Sequence, residues 1–403
     1  MSDTSSGPRR TVGVRDVAVL AGVSRQTVSR VLNDHPEVAD ETRERVLAAM
    51  SELGYRMNNA ARALGTRRSR TLGVLATDAL HYGPSRSIAA LEASAREVGY
   101  WLSAAFADAG DAHSVVAAVD HLVMQGVEGI VVVAPHAHTL DALDELRIGV
   151  PIVTLHAADR GARGLSVDQA AGARLAVAAL ADAGHTRIAH LAGPADWLEA
   201  ESRTQGFAAE LAARGLAAGP VFEGDWTAGS GFAAVDAVRE SGVTAVFAAN
   251  DQMALGLLGG LHEAGLSVPG DISVVGFDDT PDAAYYWPKL TTVRQDFSEL
   301  ARRAVAAVLA GSAGAPASAL PPVAPVLVTR ASVAPPRGAS AAGAARGGAT
   351  FAREYAVSDA KVTPHGARDA KVTPHGAWRG APSGHSHLDA PPTPVTHFCD
   401  RSQ

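Results

Sequence analysis

Four residues within six positions, Arg25, Gln26, Ser29 and Arg30, carry chemistry that a folded core does not need. An Arg fork can grip guanine O6 and N7, and a Gln amide pairs with adenine N6 and N7. The neighbouring Ser24, Thr27, Ser29 and Asn33 offer short polar groups suited to phosphate oxygens, which fix register without reading sequence. A second set is scattered: Arg203, Trp226, the pair Asn250-Asp251 and the pair Asp278-Asp279. Asp, Asn and Arg can each pair with adjacent sugar hydroxyls, and a flat aromatic ring covers a sugar's apolar C–H face. Every member has an ordinary alternative. Asp and Asn after a strand cap the next helix, a Trp packs, and a polar helix face meets water.

The first set needs a helix to present it. Val14, Val17, Ala18 and Ala21 recur at helical spacing. Gly22 can end that helix in a left-handed turn, and Ser24 can cap a second one. On the second, Val28, Val31 and Leu32 point inward, with Arg25, Gln26, Ser29 and Arg30 outward. Small Ala18, Gly22 in the turn and Val28 in the gap describe a helix-turn-helix, whose second helix enters the DNA major groove. A third helix over 40–53 ends at Gly54, and Val46, Leu47, Met50 and Leu53 would close a three-helix core. The Ala-rich stretch 55–64 is too short to be a stable helix alone, because the first turn is costly to nucleate. It would order only when held.

The second set needs strand ends. Candidate strands are 72–77, 101–107, 129–134, 151–156, 187–193, 220–224, 245–250 and 272–278, with amphipathic helical stretches such as 88–98 and 115–125 between them. This alternation predicts doubly wound parallel sheets, whose ligands sit beyond the carboxyl ends of the strands. Asn250-Asp251 and Asp278-Asp279 each end an apolar strand, Arg203 lies just downstream of another, and Trp226 sits in a Gly-rich loop.

The totals bound the rest. The chain has 403 residues, 47% hydrophobic and 19% charged, enough for two or three globular domains. The N-terminus has no apolar signal region, and no run is long and uncharged enough to span a bilayer. The only cysteine is Cys399, so no intrachain disulfide forms; a cytoplasmic protein is expected. Residues 1–70 hold 12 Arg and no Lys against 8 acids, a balance of +4, while the remainder carries −11 of the chain's net −7. A basic head on an acidic body suits a polyanion partner for the head alone. No P-loop, dinucleotide fingerprint or nucleophile motif occurs, so neither an enzyme nor a cofactor is expected. From Pro336 Ala, Gly, Pro, Ser and His dominate, and the nonapeptide DAKVTPHGA occurs at 359–367 and again at 369–377. That composition reads as a disordered low-complexity tail over 336–403. Its His spacing fits no strong metal template, and no metal is expected.

The stretches VRDVAVLAGVSRQTVSRVLN, VADETRERVLAAMSELGY, NNAARAL, GDWTAGSGF, AANDQMALG, DISVVGFDDT and TTVRQDF together resemble the lactose/galactose repressor (LacI/GalR) family, collinearly over residues 12–335. The resemblance implies an all-α helix-turn-helix head and an α/β periplasmic-binding-protein-like body of two doubly wound parallel-sheet subdomains. The implied divisions are a head at 1–56, a hinge and linker at 57–70, and an effector and dimerisation body at 71–335. Within the body, one lobe would take 71–166 plus 295–322 and the other 167–294 plus 323–335. Arg25, Gln26 and Arg30 would read bases. Asn58, Ala61 and Leu64 would lie on a hinge helix, with Leu64 wedged into the minor groove. Thr77, Ser87, His156, Arg203, Trp226, Asn250, Asp278, Gln295 and Phe297 would surround a sugar. The implied function is a transcriptional regulator, a repressor released from operator DNA by a sugar or glycoside. A corepressor-dependent regulator and a cytoplasmic sugar-binding protein are the alternatives. The implied partners are pseudo-palindromic double-stranded DNA, a small sugar and a second copy of the chain, with no membrane.

Some positions depart from the family pattern. Met57 replaces a usual Pro at the start of the hinge. Ala39 replaces a capping Ser, which leaves the third helix to be capped by Asp40. His156 stands where lactose-responsive members have an Asp that holds the sugar, and His81 replaces an apolar residue, so a different effector is expected. Tetrameric members end in a leucine-heptad helix; no sustained heptad occurs here, so a dimer is expected.

Overall fold

A computed structural model describes residues 12–32, 35–56, 68–134, 136–156, 164–316 and 320–337. Asn33, Met57, Asn58, Ala61 and Leu64 lie outside these residues, as does all of the tail beyond 337.

The head is three helices, α1 (Val14–Ala21), α2 (Arg25–Leu32) and α3 (Asp40–Leu53). Val17, Ala18, Ala21, Val28, Val31, Val46 and Ala49 form its core. Gly22 ends α1 at φ +65°, where only glycine avoids strain. The Ser24 hydroxyl accepts a hydrogen bond from Thr27 N at 3.0 Å and so opens α2. Two expectations for α3 need correction. Leu47 is 51% exposed, and its inward place goes to Ala49, one turn on from Val46. Val46, Ala49, Met50 and Leu53 keep the i, i+3, i+4, i+7 spacing of one helical face, and Leu47 lies a position off it. Asp40 is the first helical residue, not the cap. The cap is Ala39, with no side-chain hydrogen bond. Asp40 and Glu41 still place negative charge in the first turn, where the helix dipole favours it.

The body holds two sheets. The first contains β1 (Thr71–Ala76), β2 (Trp101–Phe106), β3 (Ile130–Val133), β4 (Ile152–Leu155) and β5 (Gly164–Leu165). They lie in the order β2-β1-β3-β4-β5, all parallel. The helices α4 (Tyr82–Glu97), α5 (Ala112–Met124) and α6 (Ala137–Asp144) connect its strands. The second sheet contains β6 (Ile188–Ala192), β7 (Val221–Glu223), β8 (Ala245–Ala248), β9 (Ser273–Asp278), β10 (Thr291–Arg294) and β11 (Val326–Val328). Its order is β11-β10-β9-β8-β6-β7, with only β11 antiparallel. The helices α7 (Gln169–Asp182), α8 (Leu198–Ala213), α9 (Ala228–Ala233), α10 (Val235–Ser241) and α11 (Asp251–Glu263) belong to this lobe. The strands β3 (IVVV) and β8 (AVFA) are buried at every position, as expected of parallel strands covered on both faces. The strands β5, β10 and β11 are short or Thr-rich, and strand periodicity did not mark them.

Among the described residues, the chain crosses between lobes three times. After β5 it enters the second lobe at 166–168. After β10 it returns through Gln295 and Asp296 to α12 (Phe297–Ser312), which packs on α4 and on the first sheet. It crosses last near Val323, before β11. Two crossings run side by side. Val167 and Val323 form a parallel bridge, with Asp168 N donating to Val323 O and Val323 N to Ser166 O, both at 2.9 Å. Each lobe has its own core: Leu72, Val131, Leu155, Leu300 and Val308 in the first, Leu180, Phe207, Phe247 and Phe277 in the second. Among the described residues, no helix is long and apolar enough to cross a membrane.

Candidate functional site

On α2, Arg25, Gln26, Ser29 and Arg30 are exposed, and Val28 and Val31 are buried on the other side. Positions i, i+1, i+4 and i+5 share one helical face, so the four side chains make one polar surface. Ser24 and Thr27 stand at its edge. Their hydroxyls lie 2.9 Å apart while Ser24 caps the helix. The face can dock in a groove without disturbing the core.

The second set converges between the lobes, at the carboxyl ends of the strands. Thr77 follows β1 and His156 follows β4. Asn250 caps α11, accepting from Met253 N at 2.8 Å. Asp278 ends β9 at φ +111°, and Trp226 precedes α9 at φ +71°. Non-glycine residues seldom adopt such angles, and they cluster where structure serves a site. The cleft is open to solvent, and its free volume is about 20 Å³. His81, Tyr82, Gly83 and Pro84 line it from the first lobe; Trp197, Glu199, Arg203, Trp226, Asn250 and Asp278 line it from the second, and Gln295 at the crossing.

A buried polar network forms its floor. Arg203 is 3% exposed. Its Nε donates to Gln169 Oε1 at 2.9 Å and its Nη1 to the Ala249 carbonyl at 2.5 Å. Gln169 Nε2 donates to Glu199 Oε1 at 2.7 Å and to Gln295 Oε1 at 2.8 Å. Gln295 Nε2 donates to Asp278 Oδ1 at 2.7 Å. The His156 ring spans the lobes, with Nδ1 2.8 Å from Glu199 Oε1 and Nε2 3.1 Å from Ser87 Oγ. Both its ring nitrogens are therefore engaged by protein. Nearer the mouth, His136 makes a second link between the lobes, 3.0 Å from Asp78 Oδ2 and 3.4 Å from Asp196 Oδ2. The guanidinium of Arg203 lies 4.0 Å from the centre of the Phe277 ring and 5.5 Å from that of Trp226.

Burial sets the carboxylates apart. It pushes the Asp278 carboxyl up to about 7, against the opposing pull of Arg203 and the Gln295 hydrogen bond. Burial also pushes Glu199 upward, but the His156 and Arg203 charges outweigh it and hold that carboxyl below its ordinary value. Asp251 rises to about 8 through burial and the nearby Asp278. It accepts from Thr280 N at 2.7 Å and Thr292 Oγ1 at 2.6 Å, which ties the start of α11 to the end of β9 and to β10. The indole N–H of Trp226 is buried without a hydrogen-bond partner among the described residues, and the ring packs on Gly193, where a Cβ would come within 2.1 Å of it. A donor at a cleft wall with no protein acceptor suits a polar ligand.

The structure thus brings Ser87, His156, Arg203, Trp226, Asn250, Asp278 and Gln295 together. Thr77 and Phe297 stand behind the cleft wall. Phe297 holds the lining Tyr82 ring edge-on at 6.1 Å, and Thr77 is fully buried. Sequence reasoning missed Glu199, Gln169 and Trp197. The one available signal was position: Trp197 and Glu199 follow the strand end at Gly193, as Arg203 does, and Gln169 follows the crossing at Ser166. Among the described residues, no group of His, Cys, Asp and Glu could hold a metal ion.

Comparison with known proteins fits both sites into one frame. Residues 14–58 match the family of bacterial regulatory proteins of the lacI family, and residues 177–333 match a periplasmic binding protein-like domain. The chain is 37% identical over 311 residues to the lactose operon repressor of Escherichia coli (strain K12), covering 75% of this chain and 85% of that protein. It is 35% identical over 316 residues to the transcriptional regulator CelR of Thermobifida fusca, covering 75% and 92%. A crystal structure of the Lac repressor dimer bound to operator and the anti-inducer ONPF superposes with a TM-score of 0.73 at 35% identity, over 81% of this chain and all of that one. A CelR–cellobiose complex superposes with a TM-score of 0.59 at 30% identity, over 80% and 99%.

Proposed function

The chain belongs to the lacI family of bacterial regulatory proteins: it is a DNA-binding transcriptional repressor that answers to a sugar and acts as a dimer, and from that premise we propose which residues do this and how. Arg25, Gln26 and Arg30 read base edges, while Ser24, Thr27, Ser29 and Asn33 hold phosphates. Two heads of the dimer take the halves of a pseudo-palindromic operator. Asn58, Ala61 and Leu64, outside the described residues, serve the hinge between head and body, with Leu64 as the minor-groove wedge. The functional divisions are a head to 56, a hinge and linker to 70, and the two-lobed body to 335.

In the cleft, Arg203, Asn250, Asp278 and Gln295 bind sugar hydroxyls, and Trp226 covers the apolar face. Ser87 and His156 shape the wall through Glu199, with Thr77 and Phe297 behind them. The observation that carries this reading is the join at Gln295. It lies on the crossing between lobes and hydrogen-bonds Asp278 in one direction and Gln169 in the other. A ligand that competes for Asp278 therefore bears on the relation between the lobes. A sugar that prefers the lobe arrangement incompatible with paired hinges releases the operator, and DNA weakens sugar binding by the same factor. The place of action is the cytoplasm, beside the DNA, and no catalytic step is involved. Because His156 has spent both ring nitrogens, it cannot do for a galactoside what the Asp of lactose-responsive relatives does; the effector is a different glycoside.

The test is a titration of a duplex selected by this protein, with and without lactose, galactose, cellobiose and ribose. Weaker DNA binding with one of them supports the inducer reading. Tighter binding reverses the sign to a corepressor. Unchanged affinity across a wider glycoside panel overturns both.

A further inference from the structure

We propose that Glu128 is a positioning residue: it clamps the end of the peptide that leaves the DNA-binding head, and the clamp sets how strongly the dimer holds its operator. The inference rests on the regulator reading above. Residues 68–70 are the last of the linker before β1 begins at Thr71. Glu128, just ahead of β3, meets Arg68 and Arg70 of this stretch with one carboxylate. Its Oε1 accepts from Arg70 N at 2.8 Å, its Oε2 accepts from the Tyr100 hydroxyl at 3.0 Å, and Arg68 Nη2 lies 3.3 Å from the same Oε2. The carboxylate side chain is only 13% exposed.

The ladder that fixes β1 does not need this cluster. Thr71 O already accepts from Glu128 N at 2.8 Å, Arg70 O from Trp101 N at 2.9 Å, and Gly129 O from Gly73 N at 2.8 Å. The side chain adds a hold on the linker itself, at a backbone where Arg70 sits at φ +49°. A non-glycine residue stays in that region only when its surroundings over-determine it.

The same residue also meets α12, the helix of its own lobe that starts beside the cleft. The Glu128 carbonyl accepts from Ser312 Oγ at 2.7 Å. Ser312 is the last residue of α12, which begins at Phe297, two residues after Gln295 of the cleft. Sixteen helical residues span about 24 Å. The linker clamp and the effector network therefore meet opposite ends of one helix. A held linker restricts the approach of the head and lowers the ordering cost of binding DNA, as preorganisation does elsewhere.

Glu128→Gln tests this, because it keeps the side chain's shape and removes its charge. The probe is a duplex selected by the wild-type chain from a random-sequence pool. The expected result is roughly tenfold weaker binding with thermal unfolding unchanged. The sign is diagnostic. Removing a negative charge near a polyanion should strengthen binding, so weakening points to the clamp. Arg68→Ala should weaken binding too, and the double variant should be less impaired than the two effects multiplied, because both break one clamp. Unchanged or tighter binding by Glu128→Gln, or fully multiplicative effects, overturns the proposal. If Glu128→Gln fails to fold, Tyr100→Phe removes one hydrogen bond from the same carboxylate; it should weaken the duplex about threefold, and wild-type affinity there overturns the proposal. A wild-type chain that selects no duplex defeats the regulator reading, and this inference with it.

Discussion

The reading face of α2 and the cleft between the lobes both recognise a ligand, yet they are built in opposite ways. Arg25, Gln26 and Arg30 stand exposed on a short helix whose stability comes from Val28 and Val31 on its other side. Arg203, Glu199, Gln169, Asp278 and Gln295 are buried and hold one another. Recognition and folding are therefore separable in the head and inseparable in the cleft. A substitution in the head should cost binding alone, and one in the cleft should cost stability, response or both. DNA, a large and highly charged ligand, can be read by an exposed surface because its phosphates supply most of the affinity. A small sugar needs a desolvated pocket with paired polar groups.

Arg203→Ala should have the largest effect. It strips a buried guanidinium from Gln169, Glu199 and the Ala249 carbonyl, which leaves a buried carboxylate poorly compensated. Losses of one partner from such networks cost about 3–5 kcal/mol. Denaturant unfolding should show that loss, and response to sugar should disappear. Stability close to wild type would mean that the cleft tolerates change as the head does.

Asp278→Asn sharpens the contrast by changing stability the other way. A carboxyl raised from 3.8 to about 7 stabilises the fold fully below the unfolded value, and that contribution is lost as pH rises through 7. The whole span is worth about 4 kcal/mol. Asn carries no charge to bury, so above pH 7 the variant should unfold at higher denaturant than wild type while losing its response to sugar. A variant that is less stable at pH 8 would show that the carboxylate, not its neutral form, belongs to the fold.

His190 gives the second lobe an acid limit. It stacks between Phe207 and Phe247 at 5.1 and 4.6 Å, and burial lowers it from 6.5 to about 4. A histidine held neutral contributes stability that is present above 6.5 and is lost as pH falls toward 4, about 3 kcal/mol in all. Unfolding curves between pH 7 and 4 should show that loss, and His190→Phe should flatten it. An equal slope in the variant would assign the acid sensitivity elsewhere.

How much of each region was legible beforehand follows from the same contrast. The head could be read because its signals are local: the helical spacing of Val14 to Ala21, Gly22 in the turn and Ser24 as cap all act within eight residues or so. Where α3 departed from expectation, with Leu47 outside and Ala49 inside, the helical period decided: Ala49 shares the face of Val46, Met50 and Leu53, and Leu47 does not. The strand ends carrying Asn250 and Asp278 were legible as well, since apolar runs ending in polar pairs mark themselves. Glu199 and Gln169 were not. Each looks like an ordinary polar residue in the first turn of a helix, and only the meeting of Gln169 with Gln295, far along the chain, gives them a role. His156 shows the same limit: its position was marked, but not that Ser87 and Glu199 would occupy both of its nitrogens.

The smallest expected effect belongs to Arg30→Ala, and it is the cleanest test of the contrast. Arg30 is exposed in the last turn of α2, so its loss should leave denaturant unfolding within about 0.5 kcal/mol of wild type. If Arg30 reads a base, affinity for the selected duplex should fall by about 1–3 kcal/mol, and preference at one base position should relax. If it touches only phosphate, binding should weaken evenly across sequences, and the salt dependence should drop by roughly one counterion. The two outcomes separate in one experiment that varies duplex sequence and salt together. A fall in stability as large as that of Arg203→Ala would end the distinction between an exposed reader and a buried receptor.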